Sequence, residues 1–311
     1  MVSRLALIAV AGLVAATAAG AGVAAKPAPL RCGSSKSVAA GPRAARVPRL
    51  TRIVVIVMEN KDCREVIGNR NAPYENALTR RYAFASRHFA IMKPSLPNYL
   101  GLTGGSTFGI TTDCSDCSVS SSNLVDQLEA AKIPWKAYMQ GMPAPCFTGA
   151  ESGLYVKRHN PFVYYDDVVS DSARCSRVVP LDRLSEDIAG HALPRFVWIS
   201  PDLCNDTHNC AVRTGDRFLS RLVPPLLRAL GRHGVLFLVW DEGYELAGCC
   251  GRAAGGNVAL VVAGPAARPG ARSGLRYDHY SLLRTIEDAF GLPRLRNAAC
   301  PCTRSLAPLI R

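Results

Sequence analysis

The chain has 311 residues, a formal net charge of +13 and only 7% aromatic residues. Its positive charges are spread along the sequence and form no basic helix or arm. The composition therefore argues against nucleic acid as a partner and favours a cationic surface that attracts anionic substrates. No internal repeat is visible, and the length suffices for one large domain with its own core.

The first 25 residues have the organisation of a secretory signal peptide. Arg4 supplies an early positive charge, residues 5–23 are apolar or small, and small residues precede Lys26 where a signal peptidase would cut. An uncleaved membrane anchor is the alternative, since about twenty apolar residues can cross a bilayer, but this run is rich in Ala and Gly. We predict a signal peptide over residues 1–25, cleaved from a secreted, periplasmic or cell-envelope protein with no stable membrane span.

The chain contains 12 cysteines, an even number that is high for a cytosolic enzyme and typical of an oxidising compartment. Cys114-x-x-Cys117 has the spacing of half a zinc site. No second closely spaced pair with a matching histidine is evident, so disulfides are favoured. We expect Cys204 and Cys210 to be oxidised, whereas the wider connectivity does not follow from the sequence.

Short apolar segments rich in β-branched residues predict strands that are buried on both faces of a parallel sheet. These segments cover residues 52–58, 196–199, 235–240 and 258–262. Helical patterns alternate with them at residues 123–131, 181–188, 216–230 and 280–290. After a flexible leader over residues 26–50, we therefore predict a single α/β domain over 51–311, with a doubly wound, mostly parallel sheet and helices on both faces.

Three of the four predicted strands run into polar residues. The first leads to Glu59-Asn60, the second to Asp202 and the third to Asp241-Glu242. The carboxyl ends of parallel strands meet at one edge of a sheet, which is where α/β proteins place their sites. Buried acids are costly unless they are solvated, paired or bound to a cation. An exposed turn would explain one such strand, but the set predicts a divalent-cation site built from carboxylate and amide oxygens.

Ser95 is the candidate nucleophile. It lies between Pro94 and Pro97, just before a predicted helix start at Asn98. Backbone N–H groups and the positive end of the dipole at a helix N-terminus suit a phosphoryl group. A neighbouring cation would activate the hydroxyl for attack. A plain N-cap serine is the alternative.

Six motifs give the chain a specific resemblance when they are taken in order. They are Val57-Met-Glu-Asn-Lys61, Pro94-Ser-Leu-Pro-Asn-Tyr99 with Leu102-Thr-Gly-Gly105, His159-Asn-Pro-Phe162, Ser200-Pro-Asp-Leu-Cys-Asn-Asp-Thr-His208, Trp240-Asp-Glu-Gly243 and Asp278-His-Tyr-Ser281. The chain resembles the phosphoesterase family of bacterial acid phosphatases and phospholipase C enzymes, within the alkaline-phosphatase-like superfamily. Each motif is weak alone, whereas the ordered set covers the chain from about Ile53 to Leu309.

The resemblance implies an alkaline-phosphatase-like α/β/α sandwich and metal-dependent hydrolysis through a phosphoserine intermediate. It implies that Ser95 is both nucleophile and metal ligand. The other metal ligands that it implies are Glu59, Asn60, Asp241 and Glu242. The acid-phosphatase branch often has two aspartates at the last pair, so Glu242 departs from that pattern.

The resemblance also assigns residues to the substrate. His159 and His208 would contact phosphate or protonate the leaving group, and His279 would bind phosphate or metal. Asp202, Asn205 and Asp206 complete the predicted substrate-binding set.

The loop from Cys204 to Cys210 has two other interpretations. It could be only a disulfide-pinned loop, but we expect the disulfide to hold Asp206 and His208 against the site. Asn205-Asp-Thr207 is also a glycosylation sequon, which we discount because a sugar there would obstruct the site. The remaining histidines match no motif and are expected at the surface or in packing: His88, His191 and His233.

Three functions are compatible with this sequence. The partner expected across these functions is a small-molecule or lipid phosphate ester. The first function is acid-phosphatase-type hydrolysis of phosphate monoesters, which the compact chain favours. The second is phospholipase C action on lipid head groups, which would need an apolar rim around the cleft. The third is a non-catalytic surface protein that binds a metal or an anion.

Overall fold

The computed structural model describes residues 31–37, 46–249 and 252–311. The predicted signal peptide lies outside the described residues. The strands are β1 (Arg52–Met58), β2 (Ala83–Phe89), β3 (Trp135–Met139), β4 (Glu151–Ser152), β5 (Tyr155–Val156), β6 (Val178–Pro180), β7 (Phe196–Ser200), β8 (Gly234–Trp240), β9 (Asn257–Ala263), β10 (Arg272–Ser273) and β11 (Tyr277–Asp278).

Ten α-helices are present in the described part of the chain. They are α1 (Cys63–Val66), α2 (Pro73–Arg81), α3 (Ser95–Gly104), α4 (Leu124–Ala130), α5 (Asp166–Val169), α6 (Ser172–Cys175), α7 (Arg183–Ala189), α8 (Val212–Ala229), α9 (His279–Phe290) and α10 (Arg296–Ala299). Short 3-10 turns cover Lys157–His159, Pro161–Tyr164 and Ala307–Leu309. No helix among the described residues is long and apolar enough to cross a membrane.

Nine strands form one mostly parallel sheet in the order β10-β2-β9-β8-β1-β7-β3-β6, with β11 beside β2. Strand β1 lies between β7 and β8 and is parallel to both. The predicted α/β class with a mostly parallel sheet is confirmed. The strand predicted at 258–262 forms as β9 but is antiparallel to β8 and β2. The chain between β8 and β9 contains no helix in its described part. It therefore returns into the sheet at the same end at which β8 leaves it, which makes β9 antiparallel to β8.

Helices cover both faces of the sheet and bury two apolar cores. One core contains side chains of α3, α4 and α9, and the other contains side chains of α1, α2, α7 and α8. Successive side chains of β1 pack alternately in the first and the second core: Ile53, Val54, Val55, Ile56, Val57 and Met58. A strand covered on both faces needs apolar residues at every position, which explains its unbroken apolar sequence. Each fully buried side chain of this kind contributes about 1.5–3 kcal/mol.

Disulfides fasten the loops to this framework. Five are present among the described residues: Cys32–Cys63, Cys114–Cys117, Cys146–Cys175, Cys204–Cys210 and Cys300–Cys302. The predicted pair of Cys204 and Cys210 is confirmed, and the bond between Cys114 and Cys117 removes the zinc interpretation. Cys32 lies in the predicted leader, where the adjacent Gly33 N–H donates to the Ser86 carbonyl at 2.6 Å. This segment is therefore fixed to β2.

Glu287 in α9 is a buried carboxyl group with an incomplete set of partners. Its Oε1 accepts a hydrogen bond from the Leu295 backbone N–H at 2.8 Å, whereas Oε2 has no hydrogen-bond partner. Burial raises the pKa of this carboxyl group to about 8, against an ordinary value of 4.5. Glu287 therefore stays largely protonated in the folded protein at neutral pH and below.

We predict that Glu287→Gln stabilises the protein at alkaline pH and not at acidic pH. The stability contributed by protonated Glu287 is fully present below the unfolded pKa and is lost as the pH rises through the folded pKa of about 8. Glutamine does not ionise. The melting temperature of the variant should therefore exceed that of the wild type by roughly 3 °C or more at about pH 9 and match it near about pH 4. A difference that is constant over this range would contradict the assignment.

Candidate functional site

The carboxyl ends of β1, β7 and β8 meet at one edge of the sheet, as the sequence predicts. Glu59 follows β1, Asp206 lies in the loop after β7, and Asp241 follows β8. All three side chains are fully buried. Three carboxyl groups at the end of an apolar core carry a large desolvation cost unless protons or a cation balance their charge.

Glu59 is the hub of this cluster. Its Oε2 accepts a hydrogen bond from the Ser95 hydroxyl at 3.1 Å, and its Oε1 accepts one from the Tyr99 hydroxyl. His159 Nε2 lies 3.4 Å from Glu59 Oε2, and the His159 ring stacks on Tyr99 with the ring centroids 5.5 Å apart. Helix α3 therefore supplies both the candidate nucleophile and a hydroxyl that orients Glu59. Tyr99 was not among the site residues predicted from the sequence.

Asn60 closes the cluster on the side of Asp241. The end of its amide lies 3.1 Å from Asp241 Oδ1 and 3.0 Å from Glu59 Oε2. With its nitrogen inward, Asn60 donates to both carboxylates. With its oxygen inward, three oxygens face one another, an arrangement that a cation between them would stabilise. Its backbone φ of 45° lies in the left-handed region, which asparagine tolerates better than most residues.

Glu59, His159 and Asp206 could together hold a metal ion. Each offers one ligand atom, and these atoms lie within 4.8 Å of one another. His159 Nδ1 is 3.4 Å from Asp206 Oδ2, yet both His159 ring nitrogens and Asp206 Oδ2 lack a hydrogen bond, as does Asp241 Oδ2. Buried polar atoms without partners are rare in native proteins. The donor set therefore fits a divalent cation. It includes His159, which was predicted to act in catalysis, and Asp206, which was predicted to bind substrate.

The pKa values of the buried acids are raised, because each carboxylate lacks solvent and lies near other carboxylates. Burial raises the pKa of Glu59 well above its ordinary range, and the charges of Asp241 and Asp206 raise it further. Burial raises the pKa of Asp206 to about 8 and that of Asp241 to about 7. Burial also holds the pKa of His159 well below 6.5, so its ring is neutral and suited to ligation. A bound cation would lower the carboxyl pKa values.

Glu242 lies at the margin of the cluster. It is 6% exposed, and its Oε2 has no hydrogen-bond partner. Burial raises the pKa of Glu242 to about 9, with Asp241 adding to the shift and Lys93 opposing it. No hydrogen bond joins its carboxylate to Glu59 among the described residues. The structure therefore places Glu242 near the site without bringing it into the central contacts.

Ser95 is the first residue of α3, so the helix begins three residues before the predicted start at Asn98. The next backbone N–H, that of Leu96, donates to Asp113 Oδ1 at 2.9 Å, and Arg158 Nε lies 3.6 Å from Asp113 Oδ2. The Asp113 carboxylate therefore accepts one of the backbone N–H groups at this helix start, where phosphate was predicted to bind. Asp113 lies in a Ser- and Asp-rich loop with no periodicity, so no sequence signal identified it.

The predicted disulfide loop does hold Asp206 beside the cluster. Asp206 Oδ1 accepts the His208 backbone N–H at 2.7 Å, and the Thr207 hydroxyl donates to the Glu59 carbonyl at 2.9 Å. The His208 ring is partly exposed, and its centroid lies 6.0 Å from that of His159. His208 Nδ1 is 2.7 Å from Asn209 Oδ1. The loop therefore places a solvent-accessible imidazole next to the buried group.

Asp202 and Asn205, which were predicted to bind substrate, lie in the turn that opens the disulfide loop. Asp202 Oδ1 accepts the backbone N–H groups of Cys204 at 3.1 Å and of Asn205 at 2.8 Å. The Asp202 carboxylate is therefore used to form the turn at the start of the disulfide loop, and Asn205 contributes its backbone to the same turn. Both residues shape the segment that positions Asp206.

His279, which was predicted to bind phosphate or metal, lies in the interior beside Asp241. It is fully buried; its Nε2 lies 2.5 Å from the Asp241 carbonyl oxygen, and its Nδ1 lies 3.1 Å from His88 Nε2. Asp278 caps α9 by accepting the Ser281 N–H at 2.9 Å, which directs His279 into the interior behind β8. Both ring nitrogens are engaged, so His279 supports the backbone at Asp241. His88 is its buried partner.

Comparison with known proteins agrees with this geometry. The model of the phosphoesterase family matches residues 68–293, and the chain belongs to that family. It is 29% identical over 258 residues to a phosphatidylinositol-3-phosphatase of Mycobacterium tuberculosis, a match that covers 82% of this chain and 81% of the relative. It is 27% identical over 259 residues to a phosphate-repressible acid phosphatase of Penicillium chrysogenum, covering 80% of this chain and 61% of that protein.

Solved structures show the same fold. A protein of the alkaline phosphatase superfamily from Vibrio parahaemolyticus matches with a TM-score of 0.55 and 11% identity, covering 81% of this chain and 70% of that chain. Murine ectonucleotide pyrophosphatase / phosphodiesterase 5 in complex with AMP matches with a TM-score of 0.54 and 11% identity, covering 84% of this chain and all of that one. The predicted family, fold and class of enzyme are confirmed: the chain is a phosphoesterase, a hydrolase acting on phosphate esters.

We predict that the site binds a divalent cation that stabilises the folded protein. Glu59→Gln and Asp241→Asn should each weaken cation binding by at least about tenfold and remove the loss of melting temperature caused by a chelator, because each variant deletes a negative oxygen. Glu75→Gln is the matched control, since Glu75 is an equally buried glutamate in α2, outside the cluster. Elemental analysis and thermal unfolding are the measurements. Unchanged metal content in both site variants would refute the assignment.

Proposed function

We propose that this protein is an exported, metal-dependent phosphatase that hydrolyses phosphate monoesters through a phosphoserine at Ser95. The observation that carries the proposal is the hydrogen bond of the Ser95 hydroxyl to Glu59 within a buried cluster of partnerless ligand atoms. The relatives named as acid phosphatases and as a phosphatidylinositol-3-phosphatase support action on monoesters. The disulfides support export, because such bonds persist in oxidising compartments.

The residues that would hold the cation form one continuous group. Glu59, Asn60 and Asp241 contact one another, and the group extends through Ser95 on one side. It extends on the other side through His159 and Asp206, with Glu242 at the margin. When bound, the cation supplies positive charge that favours the ionised serine hydroxyl and neutralises the carboxylates.

The chain's own groups account for the course of the reaction. Glu59 Oε2 accepts from the Ser95 hydroxyl and so fixes the direction of its oxygen, while Tyr99 fixes Glu59. Ser95 Oγ attacks phosphorus as its hydroxyl proton passes to Glu59 Oε2, the bond from phosphorus to the ester oxygen breaks, and the departing oxygen takes a proton from His208. Water then attacks the phosphoserine and gives one proton back to His208. The bond between phosphorus and Ser95 Oγ breaks, phosphate leaves, and the proton held by Glu59 returns to Ser95 Oγ.

A phosphorylated lipid is the second candidate substrate. The Mycobacterium tuberculosis relative is named for a lipid phosphate, and exposed apolar side chains border the site. A second form of this hypothesis is that the enzyme cleaves the phosphodiester of a lipid head group, as a phospholipase C does. Phosphate release from p-nitrophenyl phosphate, compared with p-nitrophenol release from p-nitrophenylphosphorylcholine, separates monoester from diester action. Activity on the diester alone would overturn the monoester proposal.

We predict that Ser95→Ala lowers turnover of p-nitrophenyl phosphate by at least about a thousandfold, because no other hydroxyl is bonded to Glu59 Oε2 in the described residues. Acid-quenched wild-type enzyme should carry phosphate on the peptide that contains Ser95. Ser106→Ala, at a serine just beyond the same helix, is the control and should retain activity. Turnover by Ser95→Ala within a few fold of wild type would remove Ser95 as nucleophile.

We predict that the effect of His208→Ala depends on the leaving group. A general acid matters most for alkyl esters, whose alcohols leave poorly, so their hydrolysis should slow by roughly two to four orders of magnitude. Esters of p-nitrophenol should slow far less, because that leaving group hardly needs a proton. His233→Ala, at an exposed histidine before β8, should change neither rate. An equal loss on both substrate types would assign His208 to phosphate binding instead.

A further inference from the structure

The two most exposed large apolar side chains of the described residues lie on one loop next to the site. Tyr244 is 56% exposed and Leu246 is 78% exposed. Their loop begins immediately after Asp241 and Glu242, at the carboxyl end of β8. Neither side chain packs in an apolar core, and exposed apolar groups beside a cleft commonly mark a contact surface.

Two lysines surround the same loop. Lys61 Nζ lies 5.1 Å and Lys93 Nζ lies 5.6 Å from the centroid of the Tyr244 ring, and Lys93 also donates to the Tyr244 carbonyl at 2.5 Å. Lys61 follows Asn60, and Lys93 stands two residues before Ser95, so both cations belong to segments that build the site. Neither forms an ion pair with a carboxylate in the described part of the chain. Their charge is therefore available to an anionic surface.

The loop is held in place by the protein. Gly243 N–H donates to the Gly255 carbonyl at 2.8 Å, and Glu245 N–H lies 3.3 Å from both carboxylate oxygens of Asp62. Glu245 also pairs with Arg64 of α1. The backbone near Gly255 bonds in turn to the segment that precedes Ser95, through the Ala90 carbonyl at 3.0 Å. Tyr244 and Leu246 are thus presented at a fixed position relative to the nucleophile.

We propose that the rim formed by Lys61, Lys93, Tyr244 and Leu246 docks the enzyme on an anionic lipid surface. This inference rests on the proposed function and deepens it, because the phosphate ester would then be a lipid head group presented at the membrane. At such a surface the leucine and the tyrosine ring enter the boundary between head groups and acyl chains, and the two ammonium groups meet lipid phosphates. A small soluble ester would leave the exposed Tyr244 ring and Leu246 side chain without an apolar partner.

The experiment measures binding and catalysis separately. Vesicles of phosphatidylcholine, with and without about 30% phosphatidylglycerol, are sedimented with the full protein. Wild-type protein should sediment mainly with the anionic vesicles, and the double variant Tyr244→Ser with Leu246→Ser should bind them roughly tenfold more weakly. Val169→Ser is the matched control. Val169 is an exposed apolar residue of α5, a helix that packs against α6 and the 3-10 turn Pro161–Tyr164.

Catalysis is followed on phosphatidylinositol 3-phosphate in the same vesicles and on soluble p-nitrophenyl phosphate. The double variant should lose roughly tenfold in kcat/KM on the vesicles and stay within about twofold of wild type on the soluble ester. Failure of the wild type to bind either vesicle would overturn the docking proposal and leave the rim as a contact for protein. Equal binding by wild type and double variant would overturn it too. Vesicle binding that depends on the rim, without hydrolysis of either substrate, would uphold docking and refute the proposed function.

Discussion

The burial of the Glu59 carboxylate is the constraint on which the site depends. This group stands at the end of the central strand, with 0% of its surface exposed, and contacts Ser95, Tyr99 and His159. Desolvation of an isolated carboxylate costs several kcal/mol, and the neighbouring acids increase that cost through repulsion. The apolar cores on both sides of β1 contribute burial energy that offsets this cost. The site lies where the sheet is covered on both faces, which is the position that the strand order gives to β1.

The surrounding structure keeps the acids from relaxing away from one another. On one side, the disulfide between Cys204 and Cys210 closes the loop that carries Asp206. Helix α8 packs directly under this loop at Gly215, where a Cβ would collide with the Thr207 side chain. On the other side, His279 bonds to the Asp241 carbonyl and restricts the end of β8. The repulsion is thus sustained by covalent and packing restraints, which also leave the site ready to accept a cation without reorganisation.

Sequence could predict the parts of this molecule that follow local patterns. The unbroken apolar runs identify β1, β7 and β8, and the acids at their ends identify Glu59 and Asp241 as neighbours. Strand β2 was missed because Ser86, Arg87 and His88 interrupt its apolar residues. The antiparallel direction of β9 follows from a connection that contains no helix in its described part, and strand propensity does not predict strand direction. The pairing of His88 with His279 and the approach of His159 to Glu59 join residues about 100 or more positions apart, so only the tertiary fold reveals them.

Charge balance connects the interior of the site with its surface. Glu59, Asp206, Asp241 and Glu242 together offer four carboxyl groups, and one divalent cation balances two of these charges. The phosphate of the substrate adds further negative charge at the same place. Protons retained by the buried acids, as their raised pKa values imply, reduce the imbalance from within. The positive charges of Lys61 and Lys93 at the rim, and of Arg158 near the start of α3, offset further negative charge. The cationic surface that composition indicates is therefore a functional complement of the acidic interior, because an anionic ester would otherwise meet a site of its own sign.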